Sequence, residues 1–184
     1  MLNINKIEIL DEFDKFVKKD KPNNWGELDS KLKAKLNNHI VENEQTINNI
    51  SYCVYCEKKI ISEKSHIEHI KPRDNFNKSI FDYNNLVVSC MTKDSCGTQK
   101  ENKYFDEFIS PVEDIPREYF SYLENGEIYS TDENAIKTYN ILNLNNKKLK
   151  QARQTIILQL QDINDLEYYD DFPSLLDWIK DTRL

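Results

Sequence analysis

The chain has 184 residues, a formal net charge of −7 and only three glycines. Hydrophobic residues make up 39% of it and the mean hydropathy is −0.74. No apolar run approaches the roughly 18 residues that a membrane-spanning helix needs, and so few glycines argue against a turn-rich sandwich or a glycine-rich phosphate loop.

Taken in chain order, the opening "MLNINKIEIL" lacks the basic start, apolar stretch and small-residue cleavage site of a signal peptide. The expected location is the cytoplasm, where thiols stay reduced. Four cysteines then suit a metal better than disulfides. Ile9, Leu10, Phe13, Phe16 and Val17 share one face and predict a helix over 8–19. After the break at "KPNN", Asn24 with Glu27 predicts a capped second helix. Its apolar stripe is Trp25, Leu28, Leu32, Leu36 and Ile40, with His39 beside it as a packing or surface residue.

Residues 51–105 carry no long amphipathic pattern. They predict a small knuckle, a polar loop, and a helix from about Gly97 to Phe108. Next, "YFSYLENGEIYS" predicts a hairpin turning at Asn125-Gly126, because both residues tolerate the positive φ of a type I′ turn. Ser130 and Glu133 have capping-box spacing ahead of a helix. Asn145 can cap another with Leu149, Ala152, Ile156 and Leu160 inward, and Pro173 opens the last.

Charge is uneven along this order. Ser51–Phe105 holds 9 Lys+Arg against 7 Asp+Glu, a net of +2, so the rest of the chain carries −9. The least acidic stretch is also the one with the thiols and two of the three histidines. It is where a phosphate-bearing ligand would be tolerated.

That stretch reads "CVYCEKKIISEKSHIEHIKPR". Cys53 and Cys56, three positions apart, form a knuckle that can turn both sulfurs to one tetrahedral zinc. Cys90 and Cys96 supply a second, looser pair, with "MTKDS" bulging out between them. A closed four-thiolate zinc is structural, since it leaves no position for water. Chemistry falls to the residues after it. Pro72 ends a strand, which places Glu68 and His69 at the strand's exit. Glu68 can bind Mg²⁺ through oxygen, and a neutral His69 can take a proton from water. Asn84 or Asn85, before the run "LVVSC", could accept the histidine's second N–H and fix its tautomer. Lys71, Arg73 and Lys100 are candidate phosphate contacts. His66 lies three residues before His69 and is expected to matter much less.

The segments "CVYC", "IEHIKPR", "YNNLVVSC" and "CGTQKENKYF" together resemble the HNH endonucleases, whose ββα-metal motif sits on a zinc knuckle. The resemblance implies an α+β fold, mostly helical. Residues 51–108 would be the nuclease core, 1–50 an N-terminal helical region, and 109–184 a β-hairpin with a C-terminal helical region. It implies that His69 is the general base, Glu68 the ligand of a catalytic Mg²⁺ or Mn²⁺, and Asn85 the residue that orients the base. Cys53, Cys56, Cys90 and Cys96 would hold structural Zn²⁺. The later "YFSYLENGEIYS" and "AIKTYNILNLNNKKLKQAR" are similar to the tail of HNH proteins encoded beside an ATPase in the Septu anti-phage system and in some retrons, where ATPase and nuclease are called PtuA and PtuB. DNA and a PtuA-like ATPase subunit are the implied partners.

One position departs from the family pattern. The third catalytic residue, usually His or Asn, directly follows the last knuckle cysteine; here it is Gly97, which has no ligand atom. Thr98, Gln99, Glu101 and Asp94 are nearby substitutes, and the third ligand stays unassigned. A catalytically inactive, zinc-stabilised nucleic-acid-binding or regulatory subunit is the alternative reading.

Overall fold

The computed structural model describes residues 1–162 and 169–183. Among these, helices surround three two-stranded antiparallel sheets, a mixed α+β arrangement. Helix α1, Asp11–Asp20, buries Phe13. It starts with Asp11, Glu12 and Asp14 and ends with Lys18 and Lys19, charges that complement the helix dipole.

The second helix differs from its expected form. Asn24 and Glu27 do make a capping box, with the Gly26 N–H donating to Asn24 Oδ1 at 2.9 Å. What they cap is a single 3₁₀ turn, Trp25–Glu27, because Leu28 is extended at ψ 119°. Helix α2, Ser30–Glu44, begins afresh from Asp29, whose carboxylate accepts from the Lys31 and Leu32 N–H groups. The break releases Trp25 from the helical stripe.

Strands β1 (Thr46–Ile47) and β2 (Ile50–Ser51) form a small hairpin leading into the knuckle. Strands β3 (Ser65–His69) and β4 (Leu86–Cys90) pair antiparallel from Ser65↔Cys90 to His69↔Leu86. Helix α3, Cys96–Lys100, packs against β4. It is much shorter than the helix expected to reach Phe108, because Glu101 takes a positive φ of 50° and ends it.

Strands β5 (Ser121–Tyr122) and β6 (Ile128–Tyr129) form the predicted hairpin, but not on a type I′ turn. Among the turn residues only Gly126 has positive φ (79°), and its N–H donates to the Leu123 carbonyl at 2.8 Å. That glycine is required twice over, since a Cβ there would fall 2.2 Å from the Lys150 carbonyl oxygen of the neighbouring helix. Helix α4, Glu133–Ile141, is capped by Asp132, not Ser130: the Ala135 N–H donates to Asp132 Oδ1 at 2.8 Å. Helix α5, Lys147–Asp162, is capped by Asn146, which accepts from Leu149 N–H. Asn145 instead pairs with Ile128 of β6 and with the buried Arg153. Helix α6, Pro173–Arg183, opens on proline as predicted.

One apolar core runs through all three stretches of the chain, from Leu36 and Ile40 through Val54, Leu86 and Val88 to Leu144, Leu160, Leu175 and Ile179. It fixes β3, β4 and α3 from behind. No helix among the described residues is long and apolar enough to cross a membrane.

Candidate metal centre and active site

The knuckle is a tight turn in which the Glu57 N–H donates to the Cys53 carbonyl at 3.0 Å, with Glu57 at φ 60°. It brings Cys53 and Cys56 against the end of β4 and the start of α3. The four sulfurs of Cys53, Cys56, Cys90 and Cys96 lie within 4.8 Å of one another, with Cys56 and Cys90 at 3.9 Å. Tetrahedral zinc with Zn–S bonds of about 2.3 Å needs sulfurs about 3.8 Å apart, so the donor set fits. The Cys90 N–H donates to Cys53 Sγ at 3.3 Å, as expected for a sulfur held as thiolate. The thiols bias one another: hydrogen bonds from Cys53, Cys56 and Cys96 push Cys90 down, while bonding to Cys53 holds Cys56 and Cys96 up. A cation is what allows four such groups to ionise together. The loop between Cys90 and Cys96 bulges outward, with Met91 60% exposed. Nearby, the Tyr55 hydroxyl is buried without a hydrogen-bond partner.

Strand β3 carries the other candidates. Side chains alternate along a strand, so His66 and Glu68 share one face while Ile67 and His69 share the other. On the first face, Glu68 Oε1 accepts from Lys100 Nζ at 2.9 Å, and Glu68 Oε2 lies 3.3 Å from His66 Nε2. Burial alone would push the Glu68 carboxyl up; bonding to His66 and the Lys100 ammonium outweighs this and holds it below its ordinary value. His66, expected to matter much less than His69, is in fact the direct neighbour of Glu68, because the i, i+2 spacing on a strand brings side chains together.

On the second face, His69 Nε2 donates to the Ile80 carbonyl at 2.9 Å. Trp25 stands edge-on to its ring, with centroids 4.6 Å apart at 87°. Burial pushes the imidazole pKa down to about 4, so it is neutral at pH 7 with its Nδ1 lone pair free.

The oxygen that fixes the histidine tautomer belongs to Ile80, not to Asn84 or Asn85. Buried Asn85 binds the loop instead: its Oδ1 accepts from Lys71 N–H at 2.7 Å, and its Nδ2 donates to the Lys71 and Ser79 carbonyls at 3.1 and 2.9 Å. It therefore holds the segment that ends in Ile80. Asn84 is exposed, with its backbone N–H on Asp82. Lys100 is wholly buried, its Nζ on Glu68 and on the His69 carbonyl, each at 2.9 Å, and it cannot reach a phosphate. A cation that close to a buried carboxylate is worth more to the fold than to a ligand.

Arg73 remains exposed, and Lys71 is partly exposed with Glu113 at 3.3 Å. Arg73 lines a cleft of about 700 Å³ with Lys78, Asn77, Asn24 and the two residues that hold His69, Trp25 and Ile80. Trp25 is the site residue that sequence periodicity assigned to a helix stripe. The signal that could have exposed it was "KPNNW", where the cap sits directly before the tryptophan.

No family model matches the chain. It is similar to a protein of Vibrio cholerae serotype O1 biovar El Tor whose name reads "Retron Vc95 putative HNH endonuclease", with 32% identity over 112 residues. The match covers 57% of this chain and 48% of the relative, so the chain spans about half the length of the curated relative it matches.

Proposed function

We propose that this chain is a metal-dependent HNH endonuclease that hydrolyses phosphodiester bonds in DNA. The observation that carries the reading is Glu68 and His69 at the end of a strand whose hairpin partner runs into the four-thiol cluster. The named similarity to the Vibrio protein supports it.

His69 is the proton acceptor. Its Nε2–H is committed to Ile80, so Nδ1 takes the proton of water as the water oxygen attacks phosphorus. The ester P–O bond breaks, and the leaving oxygen is protonated from solvent. Glu68 is a carboxylate anchored on one oxygen by Lys100, which leaves Oε2 for a divalent ion. Such an ion would supply neutralisation of phosphate charge, with the phosphate lying across the end of β3, where the faces that carry Glu68 and His69 meet. Arg73 and Lys78, with Asp74, line the cleft walled by Trp25 and Ile80, the residues that hold His69, and the two cations would meet the phosphate backbone. Zn²⁺ on the four cysteines would tie β4 and α3 to the knuckle.

The alternative, an inactive binding or regulatory subunit, is favoured by one observation: His69 is only 6% exposed. Plasmid nicking with Mg²⁺ or Mn²⁺ against EDTA separates the two. Nicking by the wild type and none by His69→Ala, with zinc retained, supports the nuclease. No nicking by either under any ion supports the alternative.

The acidic charge outside the site also suits an enzyme that works with a partner, since a body carrying −9 repels polyanions at long range. We propose a PtuA-like ATPase as that partner, on the resemblance of the C-terminal segments. Co-purification of the two, with stronger cleavage by the mixture than by the chain alone, is the expected result; equal activity removes the partner and leaves the nuclease standing.

A further inference from the structure

We propose that His66 replaces the missing ligand of the catalytic position occupied by Gly97, so that His66 Nε2 and Glu68 Oε2 together form the protein's half of a divalent-cation site. Three groups from two elements converge on one point. A Cβ placed on Gly97 would fall 2.8 Å from His66 Nε2 and 2.7 Å from Glu68 Oε2. The space that a side chain at 97 would fill is therefore already taken by the imidazole from β3. The glycine is not merely lacking a ligand; its bareness admits one from elsewhere.

The pair has the right separation. Neighbouring donors around an octahedral ion with bonds of about 2.1 Å lie about 3 Å apart. His66 Nε2 and Glu68 Oε2 are 3.3 Å apart. Lys100 holds Glu68 Oε1, so the second oxygen is the one presented. The site opens to solvent on the histidine side, where the His66 side chain is 32% exposed against 11% for Glu68. An ion can enter there, and its remaining positions would be filled by water or phosphate oxygens. Without an ion the Nε2–H donates to the carboxylate; with one, the proton resides on Nδ1 and the Nε2 lone pair faces the ion.

One imidazole and one carboxylate define the preferred class. Imidazole nitrogen favours first-row transition ions over Mg²⁺, so Mn²⁺ should bind more tightly than Mg²⁺. The thiolate cluster, being soft and closed, should keep its zinc against Mn²⁺. The inference rests on the nuclease reading for the use of the ion, not for its binding.

Mn²⁺ titration of the zinc-loaded full chain, followed by the electron paramagnetic resonance signal of free Mn²⁺, tests it without any cleavage assay. One Mn²⁺ should bind per chain, with His66→Ala at least tenfold weaker and Glu68→Gln weaker still. Gly97→Ala approaches the same point from the helix side. Its Cβ would crowd both donors, and binding should weaken although His66 and Glu68 are intact. Zinc content and melting temperature identify folded variants. No Mn²⁺ binding by the wild type, or unchanged affinity in folded His66→Ala and Gly97→Ala, overturns the proposal. Nicking that persists alongside unchanged affinity would sink this site and spare the nuclease; Mn²⁺ binding of the expected pattern without nicking would do the reverse.

Discussion

Lys100 Nζ lies 2.9 Å from Glu68 Oε1 and 2.9 Å from the His69 carbonyl oxygen, and no part of the Lys100 side chain is exposed. One ammonium thus joins α3 to the last two residues of β3. It sets the direction of the carboxylate and the end of the strand together. A neutral replacement takes the cation from a buried carboxylate and leaves it only the 3.3 Å contact with His66, which costs about 3 kcal/mol. Lys100→Met should therefore lower the unfolding free energy by about that amount in urea titration. It should leave the salt dependence of DNA binding unchanged. A stable variant with a reduced salt slope would instead return Lys100 to the phosphate-binding role.

The thiol cluster should matter to the whole domain. β3, β4 and α3 contribute only fifteen residues of regular structure around it, and metal binding by such a site is folding energy. We expect one tightly held zinc per chain. Cys53→Ser should lose it and lower the melting temperature markedly. Elemental analysis without zinc, together with an unchanged melting temperature in Cys53→Ser, would remove the structural metal.

The cysteine spacing was legible because a knuckle is a local device, and the two pairs announce each other. The strand bearing Glu68 and His69 was legible because Pro72 stops it. The roles of Lys100, Asn85 and Trp25 were not, because each is decided by a contact from another element. Lys100 reads as one more surface lysine until α3 docks on β3. Asn85 reads as a histidine partner until the loop to Ile80 closes over it. Gly97 reads as a loss until the i, i+2 neighbour of Glu68 is seen filling its space. Spacing within an element survives in the sequence; complementarity between elements does not.

Asn85 acts on His69 at one remove. Its three hydrogen bonds reach Lys71 and Ser79, the residues on either side of the loop that delivers the Ile80 carbonyl. Asn85→Ala leaves those backbone groups unpaired in a buried place, at a cost of about 2 kcal/mol. It should also lower kcat while changing KM little, because the proposed proton acceptor loses its tautomer support and the cleft keeps its cations. Asn85→Asp keeps the acceptor for Lys71 N–H but turns a donor into a repelled oxygen, so it should not rescue. Full activity in folded Asn85→Ala would detach the loop from catalysis.

Trp25 should be a positioning residue for the same imidazole. The 3₁₀ turn that holds it exists because Asn24 and Glu27 cap each other and Leu28 then extends. The indole stands edge-on to His69 and packs on Phe81 at 5.7 Å, so the ring of His69 is fixed between a tryptophan edge and the Ile80 carbonyl. Removing the indole frees the imidazole to rotate, and a base held loosely loses effective concentration toward its water. Trp25→Ala should reduce kcat about tenfold or more. Trp25→Phe keeps an aromatic edge and should retain most of the rate. Trp25 is only half-buried and sits on the 3₁₀ turn before α2, outside the knuckle, β4 and α3 that carry the thiols, so zinc content should stay at the wild-type value in both. The His69 ring resonances should be sharp in the wild type and in Trp25→Phe, and should shift and broaden in Trp25→Ala alone. Equal kcat in the two variants, with His69 resonances unmoved, would show that the tryptophan serves packing and not the base.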